Sequence, residues 1–250
     1  MVIRAGSHSL AFLKPSPQHY PYAVESGMSV AANLRKAFRE EEYLREEDAK
    51  ALLSVVSPTV LVPIDEYMDG SPEEMAQLYH HAITGHEKEE VVASVLPDLN
   101  VVALFAVNKD LLLVVNDRFA DVRVQNVMQP VWQHLYKRSM LTTQRRKLYA
   151  YFHDGMVDIF AFMQRRFRYA NTFEVGHAHD ALYYILYVWK QMGLDPEADE
   201  LHIVGKMLHH DWLDEKLKQF LRRIYTINPV ADLNRAPVSL IKDLEYDMML

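Results

Sequence analysis

The side chains best suited to chemistry are the histidines and a few dense charged runs, and spacing decides what each could do. His80-His81, His177-x-His179 and His209-His210 invite a metal ion. Ligands that share one helix face need i,i+4 spacing, whereas these pairs are adjacent or two apart, so the favoured reading is solvated helix-end histidines and no metal site. The run "QRRFR" at 164–168, with "QRRK" at 144–147, could form a basic patch with Phe167 stacking on a base. An ordinary charged tip between two strands accounts for the first run as well and is preferred. The acidic run "REEEYLREED" at 39–48 could dock a partner, but reads better as a solvated helix end whose exposed pairs contribute little. In "YYILYVWK", Ile185, Val188 and Trp189 belong to a core stripe, while Tyr183 and Tyr187 face elsewhere and offer an alternative partner groove. No Ser-His-Asp, His-Glu-x-x-His, Walker or dinucleotide motif occurs in a supporting context, so no catalytic residue is assigned.

Composition narrows the classes further. The chain has 250 residues, half of them hydrophobic, which is enough for one large domain or two lobes. A formal net charge of -7 opposes general binding to nucleic acid or anionic membranes. The absence of cysteine excludes disulfides, thiolate metal sites and cysteine nucleophiles. The runs "VVALFAV" and "LLLVV" fall far short of the ~20 residues a spanning helix needs. Arg4, His8 and Lys14 interrupt the apolar N-terminal positions, so no signal peptide is read and a cytoplasmic protein is expected.

The elements that must position any site recur. Setting Gly6 over Gly155 gives an offset of 149 (155 − 6) and pairs two strand-turn-strand patterns, "IRAGSHSLAF" and "FHDGMVDIFAF". The same offset carries the helical stripe of "SVAANLRKAFREEEYL" at 29–44 onto "AHDALYYILYVWKQMG" at 178–193, and the buried-strand type "LLSVV" onto "LHIVG". Hairpin, helix and strand therefore repeat in one register, which favours internal duplication. The first copy holds an insertion at about 58–107. It reads as a strand "TVLVPI", an acidic helix over 65–80, and two strands joined by a hairpin at Pro97-Asp98-Leu99. A helix over 109–119, a strand "DVRVQNV" and a helix over 129–138 follow, and the polar "SMLTTQRRK" links the halves. The second copy has a third strand over 167–173, a helix over 211–223 and "IYTI". Pro229 and Pro237 break any long helix in the tail.

This doubled order resembles the actin-like ATPase fold, shared by actin, the Hsp70 ATPase domain and sugar kinases, and related to ribonuclease H. More narrowly, "KLYAYFHDGMVDIFAF", "ALYYILYVWKQMGLDPEADELHIVG" and "INPVADLNRAP" resemble an uncharacterised, mainly Bacteroidetes family with that fold. The resemblance covers essentially the whole chain. It implies an α/β architecture of two lobes with a central cleft, a first lobe at 1–141 holding the insertion and a second at 142–250.

The resemblance also implies where nucleotide would sit. Active relatives wrap phosphate with small residues in each hairpin turn and hold metal with an Asp on the first strand of each half. Gly6 and Ser7 fit the first turn, but the Asp position falls on Arg4. Gly155 and Asp158 fit the second, but the strand Asp falls on Tyr151, and two glycines become His153 and Asp154. A Gly-Gly turn that normally packs against adenine retains Gly205 but continues with Lys206 and Met207. A ribonuclease H-like nuclease lacks its first-strand carboxylate in "MVIRAG" for the same reason.

The expectation is a degenerate nucleotide cleft at Gly6, Ser7, Asp154, Gly155, Asp158 and Gly205 in a non-catalytic protein with no cofactor, acting as an adaptor for an unidentified protein partner. It involves neither nucleic acid nor membrane insertion. The alternative is an ATP-binding protein, ATPase or small-molecule kinase with Mg and a site rebuilt around Arg4, Ser7, Asp154, Asp158 and Gly205, in which Arg4 pairs with phosphate. A third reading is a sensor for another small molecule.

Overall fold

A computed structural model describes residues 1–15, 18–44, 50–140, 145–163, 166–207 and 209–250. The polar link at 141–144, Gln164 and Arg165 of the basic run, and the end of the acidic run at 45–48 lie outside the described residues. The chain divides into two compact units, residues 1–131 with 241–250, and residues 132–240.

The first unit begins with β1 (Val2–Ala5), β2 (Leu10–Lys14), β3 (Gln18–Tyr22), α1 (Val30–Glu40) and β4 (Lys50–Val55). Then come β5 (Thr59–Pro63), α2 (Ile64–Asp69), α3 (Pro72–Ala82), β6 (Glu90–Leu96), β7 (Val101–Val107), α4 (Lys109–Arg118) and β8 (Asp121–Asn126). Its main sheet has the order β3-β2-β1-β4-β8, antiparallel across β3, β2 and β1 and parallel across β1, β4 and β8. Alternation along β1 sends Ile3 and Ala5 toward the core with Phe12 and Leu53, where Leu34 and Ala37 of α1 and Val115 of α4 also pack. Ser29 caps α1 by accepting from the Ala32 N–H at 3.2 Å, and Ala31, Leu34 and Ala37 form its buried stripe. The strand β3, "QHYPY", is polar and carries Pro21, so no strand pattern marks it in the sequence. It sits at the sheet edge, where a missing N–H is tolerated.

The insertion forms its own three-stranded sheet, β5-β7-β6, with Tyr79 of α3 buried against Val62, Val102 and Leu104. The single acidic helix expected over 65–80 is two helices. The chain breaks at Gly70, and Ser71 restarts it through a reciprocal capping box with Glu74, with Pro72 in the first turn. Asn126 at the end of β8 reaches this sheet through Ser57, since its side-chain amide donates to the Ser57 carbonyl at 2.7 Å and the Ser57 hydroxyl accepts from the Ala106 N–H of β7 at 3.2 Å.

The first unit gives way to the second within α5 (Met128–Met140). The second comprises β9 (Lys147–His153), β10 (Met156–Met163), β11 (Arg166–Glu174), α6 (Ala178–Gln191), β12 (Glu200–Gly205), α7 (His210–Lys218), β13 (Ile224–Thr226) and α8 (Pro229–Asp232). Its sheet order, β11-β10-β9-β12-β13, repeats that of the first unit strand for strand, with β13 in the place of β8. The buried stripe of α6, Ala181, Ile185, Val188 and Trp189, covers Leu148, Ala150 and Phe152 of β9 together with Leu213 and Leu217 of α7. The helix α9 (Tyr246–Met249) belongs to the first unit and buries Tyr246, Asp247 and Met248. Among the described residues, no helix is long and apolar enough to cross a membrane.

Candidate functional site

Four of the residues singled out in the sequence meet at one end of β9. Alternation sends Leu148, Ala150 and Phe152 to the helix-packed core and turns Tyr151 and His153 to the other face of the sheet. His153 pairs with Met156 in the β9–β10 ladder, which leaves Asp154-Gly155 as a two-residue turn. Both turn residues have positive φ, 47° and 73°, the conformation a type I′ hairpin requires and Asp-Gly readily supplies.

This tight turn folds its carboxylates back on the strand. Asp158 on β10 lies 2.6 Å from His153 Nε2, and Asp154 lies 3.0 Å from His153 Nδ1. The second Asp158 oxygen accepts from the Thr172 hydroxyl of β11 at 2.5 Å. The Tyr151 ring stacks on the imidazole with centroids 4.6 Å apart. Burial opposes a charged imidazole, but hydrogen bonding and charge attraction from Asp154 and Asp158 outweigh it and raise the His153 pKa to about 9. With both ring nitrogens facing carboxylates, His153 is an imidazolium at neutral pH and donates on both sides. Asp158 thereby acts as a counter-ion with both oxygens engaged.

Gly205 closes the same corner from β12, where it registers beside Phe152. Its φ is 92°, and a Cβ there would lie 2.1 Å from the Phe152 carbonyl oxygen. Close approach to the neighbouring strand thus requires glycine at this position, with no ligand involved. Further along the same sheet face, buried Glu200 meets His202 at 3.0 Å.

Gly6 and Ser7 lie in the first unit. The β1–β2 hairpin closes on the pair Ala5 and Leu10, with the Gly6 N–H donating to the Ser9 carbonyl at 2.9 Å and Ser7 exposed. Arg4 points away from the helix-packed core, and its Nε reaches the two Asp247 carboxylate oxygens of α9 at 2.9 and 3.2 Å. Both side chains are almost wholly buried, at 3% and 0% exposure, so the guanidinium already has an internal anion.

His153, Thr172 and Asp247 contact the predicted residues and were not assigned by motif reading. The repeat holds a signal for the first, because the offset of 149 that equates Gly6 with Gly155 also equates Arg4 with His153 (4 + 149). Nothing local points to Asp247. Among the described residues, no group of three or more His, Cys, Asp or Glu side chains is arranged to hold a metal ion. A groove of about 370 Å³ on the first unit, lined by Tyr20, Tyr22, Lys36, Glu40 and Tyr43, contains none of the predicted residues.

A search of curated proteins returned no match. Among solved structures, the chain is similar to a Bacteroides thetaiotaomicron VPI-5482 protein with an actin-like ATPase fold and unknown function. The two are 26% identical over 94% of this chain and 93% of that one, with a TM-score of 0.82. A chain of a PilM–PilN type IV pilus biogenesis complex is 12% identical over 99% of this chain and 94% of its own, with a TM-score of 0.60, a likeness of fold alone. The doubled sheet order and these likenesses establish the actin-like ATPase fold. The family described as "Protein of unknown function (DUF3822)" matches residues 10–224, and the chain belongs to that family.

Proposed function

We propose that this chain is a non-catalytic member of the actin-like fold, a cytoplasmic adaptor that works by binding a protein partner and makes no use of nucleotide hydrolysis. The observation that carries this reading is that the charged groups at the two turn-facing strand positions are neutralised within the chain, Arg4 by Asp247 and His153 by Asp154 and Asp158. Magnesium–nucleotide chemistry requires carboxylates that can take a metal, and a phosphate contact from Arg4 would require a guanidinium not already held by a carboxylate. Here Asp158 accepts from His153 and Thr172, and Arg4 is engaged by Asp247. The net charge of -7 favours a protein partner over a nucleic acid. The likeness to a chain of the PilM–PilN complex supports only the compatibility of this fold with partner binding, since function resides in sites grafted on a fold.

The test is thermal unfolding with and without millimolar ATP and magnesium, paired with equilibrium dialysis of labelled nucleotide. A real site stabilises the folded chain by about 2.7 kcal/mol at a hundredfold excess over Kd. The expected result is no shift and no retained nucleotide. Saturable retention that Asp158→Asn abolishes while the variant still unfolds cooperatively would replace this reading with that of an ATP-binding enzyme with a rebuilt site.

A further inference from the structure

The outer edge of the second unit's sheet is the strand β11, nine residues long and, among the described residues, paired only with β10. Exposed strand edges are usually shortened or carry proline, because their free N–H and C=O groups recruit another strand. Of the other sheet edges, β3 carries Pro21, β5 ends in Pro63, β13 has only three residues, and β6 and β8, which also lack proline, are shorter at seven and six residues. β11 has no proline, and its register with β10 is regular from Tyr169 to Glu174, with an irregularity only where Arg168 is passed over. Its charge is polarised along its length, with Arg166 and Arg168 exposed near one end and Glu174 exposed at the other.

We propose that β11 pairs antiparallel with β11 of a second copy of this chain, about a two-fold axis at Asn171, joining two five-stranded sheets into one. This register sets Arg168 opposite Glu174 of the partner copy and Tyr169 opposite Phe173, each twice by symmetry, with Asn171 facing its own copy at the axis. An oppositely charged pair and an aromatic pair are the cross-strand combinations that stabilise an antiparallel ladder. A parallel arrangement would lose the charge match. A second observation agrees with the first. Tyr169 and Phe173 pack on the α6 side of the sheet, where Phe173 stacks on Tyr184 at 4.4 Å. Beside them, Tyr183 and Tyr187 stack at 5.9 Å while remaining 62% and 48% exposed. An added strand would cover this aromatic shelf, and large apolar surface left in water is a mark of interfaces. The pairing is independent of the adaptor reading above.

Sedimentation of the full chain over a micromolar to submillimolar range tests this directly, and the lack of native cysteine makes a cross-link diagnostic. The expected result is a concentration-dependent dimer that Arg168→Glu weakens by about tenfold or more in dissociation constant. The combined Arg168→Glu and Glu174→Arg chain regains the dimer, which separates pairing from misfolding. Asn171→Cys forms a disulfide-linked dimer on mild oxidation, and Glu174→Cys, which lies away from its own copy, does not. A chain that stays monomeric throughout, or a dimer that Arg168→Glu leaves intact and Asn171→Cys does not trap, overturns the proposal.

Discussion

Arg4 in the first unit and His153 in the second stand at matching places in a duplicated design, on the first strand just before its turn, yet each is neutralised from a different distance along the chain. His153 takes its carboxylates from one and five residues away, across a hairpin that forms locally. Arg4 takes its carboxylate from 243 residues away. The cations differ as well, since guanidinium remains charged at any pH a protein meets and imidazolium does not. Position in the fold therefore fixes that a buried charge needs a partner, while the partner's source sets how each unit can be disabled. A buried ion pair is weak evidence for net stability over an apolar pair, but losing one member of it is costly.

The largest separation between the units should come from Asp247→Ala. It removes the carboxylate that faces a guanidinium at 3% exposure and should destabilise the first unit by about 3–5 kcal/mol, read as a loss in chemical denaturation. Arg4→Met combined with Asp247→Leu should recover most of that loss. If Asp247→Ala alone unfolds as the parent does, the pair has no structural weight and the contrast between the units fails.

Alkaline titration should give the next largest effect and should touch only the second unit. The folded His153 pKa of about 9 lies above its ordinary 6.5, so its stabilisation is fully present below pH 6.5, declines as pH rises, and is gone above about 9. A shift of that size corresponds to an upper bound of about 3 kcal/mol. A protein whose stability is flat between pH 6.5 and 9 in the parent, and unchanged by His153→Gln, would show that the imidazole is not held as a cation.

The smallest effect should be that of Gly155→Ala in the type I′ turn. The φ of 73° strains an alanine, and the open space around it adds no clash, so a loss of about 1 kcal/mol in unfolding free energy is expected. A much larger loss would show that His153 depends on that turn more than on its hydrogen bonds.

The duplication was legible because its signal is periodic. The hairpins, the helices α1 and α6, and the strands β4 and β12 overlap at one offset, although the buried positions inside them do not, since Leu34 falls on exposed Tyr183 and core Leu53 on His202. The insertion's paired strands were legible for the same reason, with Pro97-Asp98-Leu99 marking their junction. The strand β3 was not, because an edge strand half in water need not alternate and Pro21 argues against one. The division of the acidic helix was hidden because Gly70-Ser71 reads as a mild interruption until the capping box is seen. At the site, the absence of carboxylate from Arg4 and Tyr151 was visible in the letters, but the engagement of Asp154 and Asp158 by His153 depends on a hairpin register that letters alone do not set. Asp247 was invisible for a simpler reason, since no local pattern marks a partner so far along the chain.

The placement of α9 in the first unit has a consequence for biosynthesis. During translation at ~5–20 residues per second, Arg4 is incorporated roughly ten to fifty seconds before Asp247. Through that interval the nascent first unit lacks the Asp247 carboxylate that faces Arg4, while the second unit, made from consecutive residues, can finish folding first. Completion of the earlier-made unit thus waits on residues 241–250, which follow the whole of the second unit along the chain, so a truncation that removes them is a lesion of the first unit.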